Sequence, residues 1–153
     1  MVHIKKITQN KTLEFFTIDQ LNGMEMPYFE AYVSAGFPSP AEDYSEIKLD
    51  LNKFLVNNPT ATFYVRVKGM SMQDAGILEG DMLVVDRSVL PTDNCIAICV
   101  INSEFTVKRI KKTKSGITLM PENPDFKSIK ITPDMDFSVW GVVTYVIHKV
   151  GKL

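Results

Sequence analysis

The residues best suited to chemistry are a serine at a small-residue corner and a lysine on an alternating strand. Ser71 lies in Lys68-Gly69-Met70-Ser71-Met72, between a β-rich run, Thr62 to Val67, and a turn-forming stretch, Asp74 to Gly80. Glycine gives such a corner backbone freedom. Unbranched methionines can pack beneath it without crowding the hydroxyl. A serine is a weak nucleophile at neutral pH and needs a base beside it. The run Glu104-Phe105-Thr106-Val107-Lys108-Arg109-Ile110 offers one. In a strand, Phe105 and Val107 point one way and Thr106 and Lys108 the other. An exposed lysine titrates at about 10.4, and burial lowers that value by disfavouring the ammonium. Thr106, on the same face, could orient the amine. A Ser–Lys pair needs neither histidine nor aspartate. The plain alternative is that Lys108 begins an ordinary solvated basic run with Arg109, Lys111, Lys112 and Lys114.

The elements that would position these groups are mostly strands. They are expected at Thr62 to Val67, Met82 to Asp86, Cys95 to Ile101, Glu104 to Ile110, Gly116 to Met120, Ile129 to Ile131 and Phe137 to His148. Asp50 to Asn57 reads as one short helix, capped by Asp50, with Leu51, Phe54 and Leu55 on one apolar face. The fold class is therefore mainly β, a compact and partly closed strand body with one short helix and an extended N-terminal arm. The arm, Met1 to Ala35, is too short for its own core, and a strand pairing with the body or another chain is its plausible use.

Composition limits the function classes. At 153 residues and 45% apolar, the chain is one packed domain with an appended arm. A net charge of −1 implies no general attraction to nucleic acid or membrane, so direct DNA binding is not expected. No apolar run spans a bilayer, and Met1 to Asn10 lacks signal-peptide order, which gives the expectation of a cytoplasmic protein. Cys95 and Cys99 would lie about 13 Å apart in a strand, too far to bridge, and read as small buried hydrophobes. With histidine only at positions 3 and 148, neither metal nor cofactor is expected. Ser34-Ala35-Gly36-Phe37-Pro38-Ser39-Pro40 is a composition break, either a linker or a segment held extended for recognition.

Four stretches, in order, carry a resemblance to a known family. They are Ala35-Gly36-Phe37-Pro38-Ser39-Pro40-Ala41, Val67 to Met72, Gly80 to Asp86 and Glu104 to Arg109. Together they resemble the LexA/UmuD family of self-cleaving serine–lysine peptidases, over roughly Gly36 to Val150 and most closely its SOS-mutagenesis branch. The resemblance implies Ser71 as nucleophile and Lys108 as general base. It implies the Met70 and Ser71 amides as oxyanion donors and Ala35–Gly36 as the bond cut. It divides the chain into an arm, 1–35, removed by self-cleavage, and a peptidase-like domain, 36–153. The implied partners are a second copy in a homodimer, a RecA filament on single-stranded DNA that stimulates cleavage, and a UmuC-type Y-family polymerase. Repression of the LexA kind is set aside, because a helix-turn-helix module needs more chain than this arm. Two other classes stay open. One is a non-catalytic β-rich interaction module. The other is a signal-peptidase-like protease, although the sequence shows no membrane anchor.

Overall fold

The chain's structure, a computed structural model, describes residues 5–9, 13–17, 23–29 and 46–151. The strands are β1 Lys5–Gln9, β2 Leu13–Thr17, β3 Glu25–Phe29, β4 Glu46–Asp50, β5 Thr62–Val67, β6 Met82–Asp86, β7 Ile96–Ile101, β8 Glu104–Thr113, β9 Gly116–Met120, β10 Ile129–Lys130 and β11 Phe137–Ile147. One α-helix, α1, covers Leu51–Leu55, and a 3-10 turn covers Gln73–Ala75. Nine strands form one antiparallel sheet in the order β1-β2-β5-β6-β11-β7-β8-β9-β10, while β3 and β4 pair separately. This is the mainly-β body the alternation predicts. Its described strands run from edge to edge without closing a barrel.

Alternation along β7 and β8 divides the apolar residues between two faces. Ile98 and Val107 join Leu13, Phe15, Val65, Val67, Met72, Ile77, Leu83 and Val85 in one core. Ala97 and Cys99 join Ile110 and Leu119 in a second. Both cysteines are free, as expected, and Cys99 is fully buried.

Of the two uses expected for an arm strand, pairing with the body is seen for β2. It runs antiparallel to β5, with Leu13 opposite Val67 and Thr17 opposite Phe63. It carries two core side chains, Leu13 and Phe15. Ser34 to Pro40, with Ala35 and Gly36, lies outside the described residues.

Two expectations need correction. The helix is shorter than Asp50 to Asn57. Asp50 does cap it, its carboxylate accepting from the Asn52 amide at 3.0 Å and the Lys53 amide at 3.4 Å. Val56 is already extended, and its amide closes the turn onto the Asn52 carbonyl. So short a helix does not bury the expected face: Leu51 and Phe54 are over half exposed, and Val56 is the residue that goes inside. Second, β8 continues past Ile110 to Thr113. There it forms a hairpin with β9, Lys111 opposite Thr118 and Thr113 opposite Gly116. Cross-strand pairing outweighs the poor strand propensity of consecutive lysines. Their charges are taken up locally. Lys112 Nζ donates to the Pro91 carbonyl, its amide donates to Asp93, and Lys111 Nζ lies 3.4 Å from Asn94 Oδ1.

Gly141 sits where the β11–β7 register shifts. A Cβ there would lie 2.6 Å from Val85 Cγ1 and 3.3 Å from Arg87 Cγ. The Gly141→Ala variant should lose about 1–3 kcal/mol to overpacking. That corresponds to a melting temperature lower by about 2–4 °C per kcal/mol for a chain of this size. Thermal unfolding followed by circular dichroism checks this, and an unchanged midpoint would show that Val85 yields without cost.

Candidate active site

Gly69 opens the corner after β5 with φ +96°, in the left-handed region that side chains disfavour. The turn places Ser71 half-buried at the mouth of a cleft of about 240 Å³. Leu13, Val67, Met72, Val107 and Phe126 supply its apolar lining. Of the two methionines expected beneath the corner, only Met72 packs there, 2% exposed, while Met70 is about half exposed.

Lys108 reaches the corner from the central part of β8. Its partner across the ladder is Ala97, and Thr106 faces Cys99, so both functional side chains rise from the sheet face of the second core. Lys108 is only 7% exposed. Its Nζ lies 2.9 Å from Ser71 Oγ, 3.0 Å from Thr106 Oγ1 and 2.9 Å from the Val107 carbonyl oxygen. Among the described residues no carboxylate pairs with it.

An ammonium can donate one N–H to each of these three partners, and a neutral amine can be accommodated as well. A neutral lysine has two N–H donors and one lone pair. The Val107 carbonyl can only accept, and the Thr106 hydroxyl can accept the second N–H. The lone pair is then left for the Ser71 O–H. Burial pushes the Lys108 ammonium below the ordinary lysine range, opposed only by the Cys99 thiolate. That opposition is absent at neutral pH. Burial first, and Cys95 second, push the Cys99 thiol up to about 12, so it stays protonated.

The backbone around Ser71 is braced from residues 121–126. The Asn123 side-chain amide donates to the Met70 carbonyl at 2.8 Å, and the Glu122 amide donates to the Ser71 carbonyl at 2.8 Å. The Asp74 amide returns to the Glu122 carbonyl at 2.7 Å. With those carbonyls held, the Met70 and Ser71 amides make no hydrogen bond to any described residue. Two free backbone donors beside a serine can stabilise a tetrahedral oxyanion.

The structure thus brings Ser71, Lys108, Thr106 and Met70 together. The other two expected site residues, Ala35 and Gly36, are outside the described residues. Between β2 and that bond, Tyr28 and Phe29 belong to β3, paired with Ile47 and Glu46 of β4. Sequence reasoning misses three contributors: the Val107 carbonyl, the Glu122–Asn123 brace and Leu13 as a cleft wall. Pro121 to Pro124 shows only a turn signal, and its contact with the corner spans 53 positions. No group of metal-ligating side chains occurs among the described residues. His148, one of the two histidines, instead lies 2.5 Å from the buried Asp81 carboxylate. No described helix is long and apolar enough to cross a membrane.

The chain is similar to proteins of a peptidase family. The family described as Peptidase S24-like matches residues 27–144. The chain is 42% identical to Protein ImpA of Salmonella typhimurium over 128 residues, 83% of this chain and 86% of that protein. It is 44% identical to Protein MucA of Escherichia coli over 121 residues, 78% and 82% of the two chains. It is 40% identical to a LexA repressor of Acidithiobacillus ferrooxidans over 124 residues, 79% of this chain but 60% of that one.

The buried amine has a consequence for stability. Unfolded Lys108 titrates at about 10.4, and folded Lys108 titrates lower. Between the two values the unfolded chain binds more protons, so stability rises with pH there. The penalty is complete below the folded value and vanishes above about 10.4. Denaturant unfolding of wild type and Lys108→Met from pH 7 to 10.5 should show the difference moving in favour of wild type as pH rises. A pH-independent difference would mean that Lys108 is not held neutral.

Proposed function

The chain belongs to the Peptidase S24-like family, and we propose on that premise that it is a self-cleaving serine–lysine peptidase cutting its own Ala35–Gly36 bond. One observation carries the reading: a buried lysine with no carboxylate partner among the described residues, its amine 2.9 Å from a serine hydroxyl and held by Thr106 and Val107.

Lys108 Nζ takes the Ser71 proton as Oγ attacks the Ala35 carbonyl carbon. The oxyanion so formed faces the Met70 and Ser71 amides. Collapse breaks the bond from Ala35 carbon to Gly36 nitrogen, and Lys108 passes its proton to the departing Gly36 amine. Water, deprotonated by the same amine, then hydrolyses the Ser71–Ala35 ester. The products are Met1 to Ala35 and Gly36 to Leu153. The residue types at the bond suit this chemistry. Ala35 and Gly36 leave the carbonyl uncrowded, and Pro38 and Pro40 hold the following chain extended, so that less order must be imposed on docking.

The biological setting comes from the family resemblance. Cleavage is slow until a RecA filament on single-stranded DNA favours the docked segment, the neutral amine or both. Such a stimulus acts by population shift. The processed chain, as a dimer, then serves a UmuC-type Y-family polymerase in translesion synthesis. This accords with the similarity to ImpA and MucA along most of their length.

Alkali substitutes for the filament by deprotonating Lys108. Incubation at about pH 9 to 10 should yield a fragment whose N-terminus is Gly36. Ser71→Ala and Lys108→Ala should each cut at least about 1,000-fold more slowly. Gel electrophoresis with N-terminal sequencing reads both results. A wild-type chain that stays whole in alkali, and also with RecA, single-stranded DNA and nucleotide, would leave a non-catalytic interaction module as the better reading.

A further inference from the structure

We propose that the seat on β5 now filled by β2 is a strand-accepting surface that cleavage unmasks. Its later occupant is an extended segment of a partner protein with large apolar side chains two residues apart and an acid between them. The inference rests on the Ala35–Gly36 cut, because β2 lies on the N-terminal side of that bond.

The present occupant shows what the seat requires. Leu13 and Phe15, each 1% exposed, fill two sockets on the core side of β5. The Phe15 ring centroid lies 4.7 Å from that of Phe105 and 4.9 Å from that of Trp140. Glu14, between them, points to the other face. Its carboxylate lies 3.5 Å from Arg66 Nη1 and 3.7 Å from Lys68 Nζ. Arg66 also sits 5.5 Å over the ring of Phe16. Five residues pair along the strand, from Leu13 opposite Val67 to Thr17 opposite Phe63. The seat thus combines a backbone ladder, two apolar sockets and two cations. Strand addition uses the ladder for affinity and the alternate side chains for specificity.

Cleavage changes how strongly β2 holds its place. In the uncut chain its local concentration is about millimolar. In a separate fragment it is only the fragment's own, micromolar concentration. Its hold then rests on a five-residue ladder to β5 and the two core side chains of Leu13 and Phe15. β3 adds a ladder to β4, but Met26 and Tyr28 remain largely exposed, so it brings little burial. The fragment therefore leaves, and β5 becomes an open edge of the sheet. Open edges of this kind recruit strands.

The test makes the cut independently of Ser71, so that failure of self-cleavage and failure of this inference are told apart. A site for a sequence-specific protease is placed within residues 37–45 of the full-length Ser71→Ala chain, and that protease makes the cut. Gel filtration at about 1 µM should separate the N-terminal fragment from a body whose near-ultraviolet Trp140 signal persists. A labelled peptide of residues 9–19 should then bind the cut body with micromolar affinity and not bind the uncut chain. Phe15→Asp in the peptide should weaken binding about 10- to 100-fold, the worth of a buried aromatic side chain. Glu14→Lys should weaken it roughly 10-fold, and a body carrying Arg66→Glu and Lys68→Glu should restore it. A fragment that co-elutes with the body overturns the inference. So does a body that unfolds, or one that binds wild-type and Phe15→Asp peptides alike.

Discussion

The site depends on keeping one amine dry. In the proposed chemistry Lys108 serves Ser71 only while its ammonium is disfavoured, and burial is the force that disfavours it. That burial is a property of the whole sheet. β8 lies between β7 and β9 and carries apolar neighbours on both faces. Val107 anchors one core and Ile110 the other, so the strand can neither tilt nor slip without exposing apolar surface. A one-residue slip would exchange the faces, turning Lys108 into the first core and Val107 toward the corner. The register that packs the protein is thus the register that sets its chemistry.

The other half of the site is held by a different device. Ser71 sits on a turn that no strand ladder fixes. Its placement comes from Gly69, which the backbone angle requires, and from the carbonyl contacts supplied by Glu122 and Asn123. The neighbouring amides make no hydrogen bond to any described residue, an arrangement that an oxyanion site needs before any substrate arrives. The lysine is positioned by the core and the serine by a loop. The 2.9 Å contact between them is where the two devices meet.

What could be read from the sequence follows the same division. Period-two alternation exposes strands and their faces, and so Thr106 and Lys108 on one side of β8 were legible. The cap at Asp50 was legible because capping is local. Contacts across many residues were not. Nothing in Pro121-Glu122-Asn123-Pro124 announces the Met70 carbonyl as its partner. Nothing in Leu13-Glu14-Phe15 reveals that a segment which looks like an arm carries core residues. The helix was overextended because Leu51 and Phe54 resemble a buried face. Burial depends on what packs opposite, and periodicity does not report that. The pairing of Ser71 with Lys108 was proposed by residue type and strengthened by ordered motifs, while the geometry that makes it chemically sensible is tertiary.

Leu13 joins these threads. It belongs to the first core and also walls the cleft that holds Ser71 and Lys108. In the proposed cycle it leaves with the cleaved arm. A cleft that loses an apolar wall admits water beside the amine, and hydration favours the ammonium again. In that cycle Lys108 would be less readily deprotonated and Ser71 less readily activated. One departing strand would both open an edge on β5 and weaken the dyad.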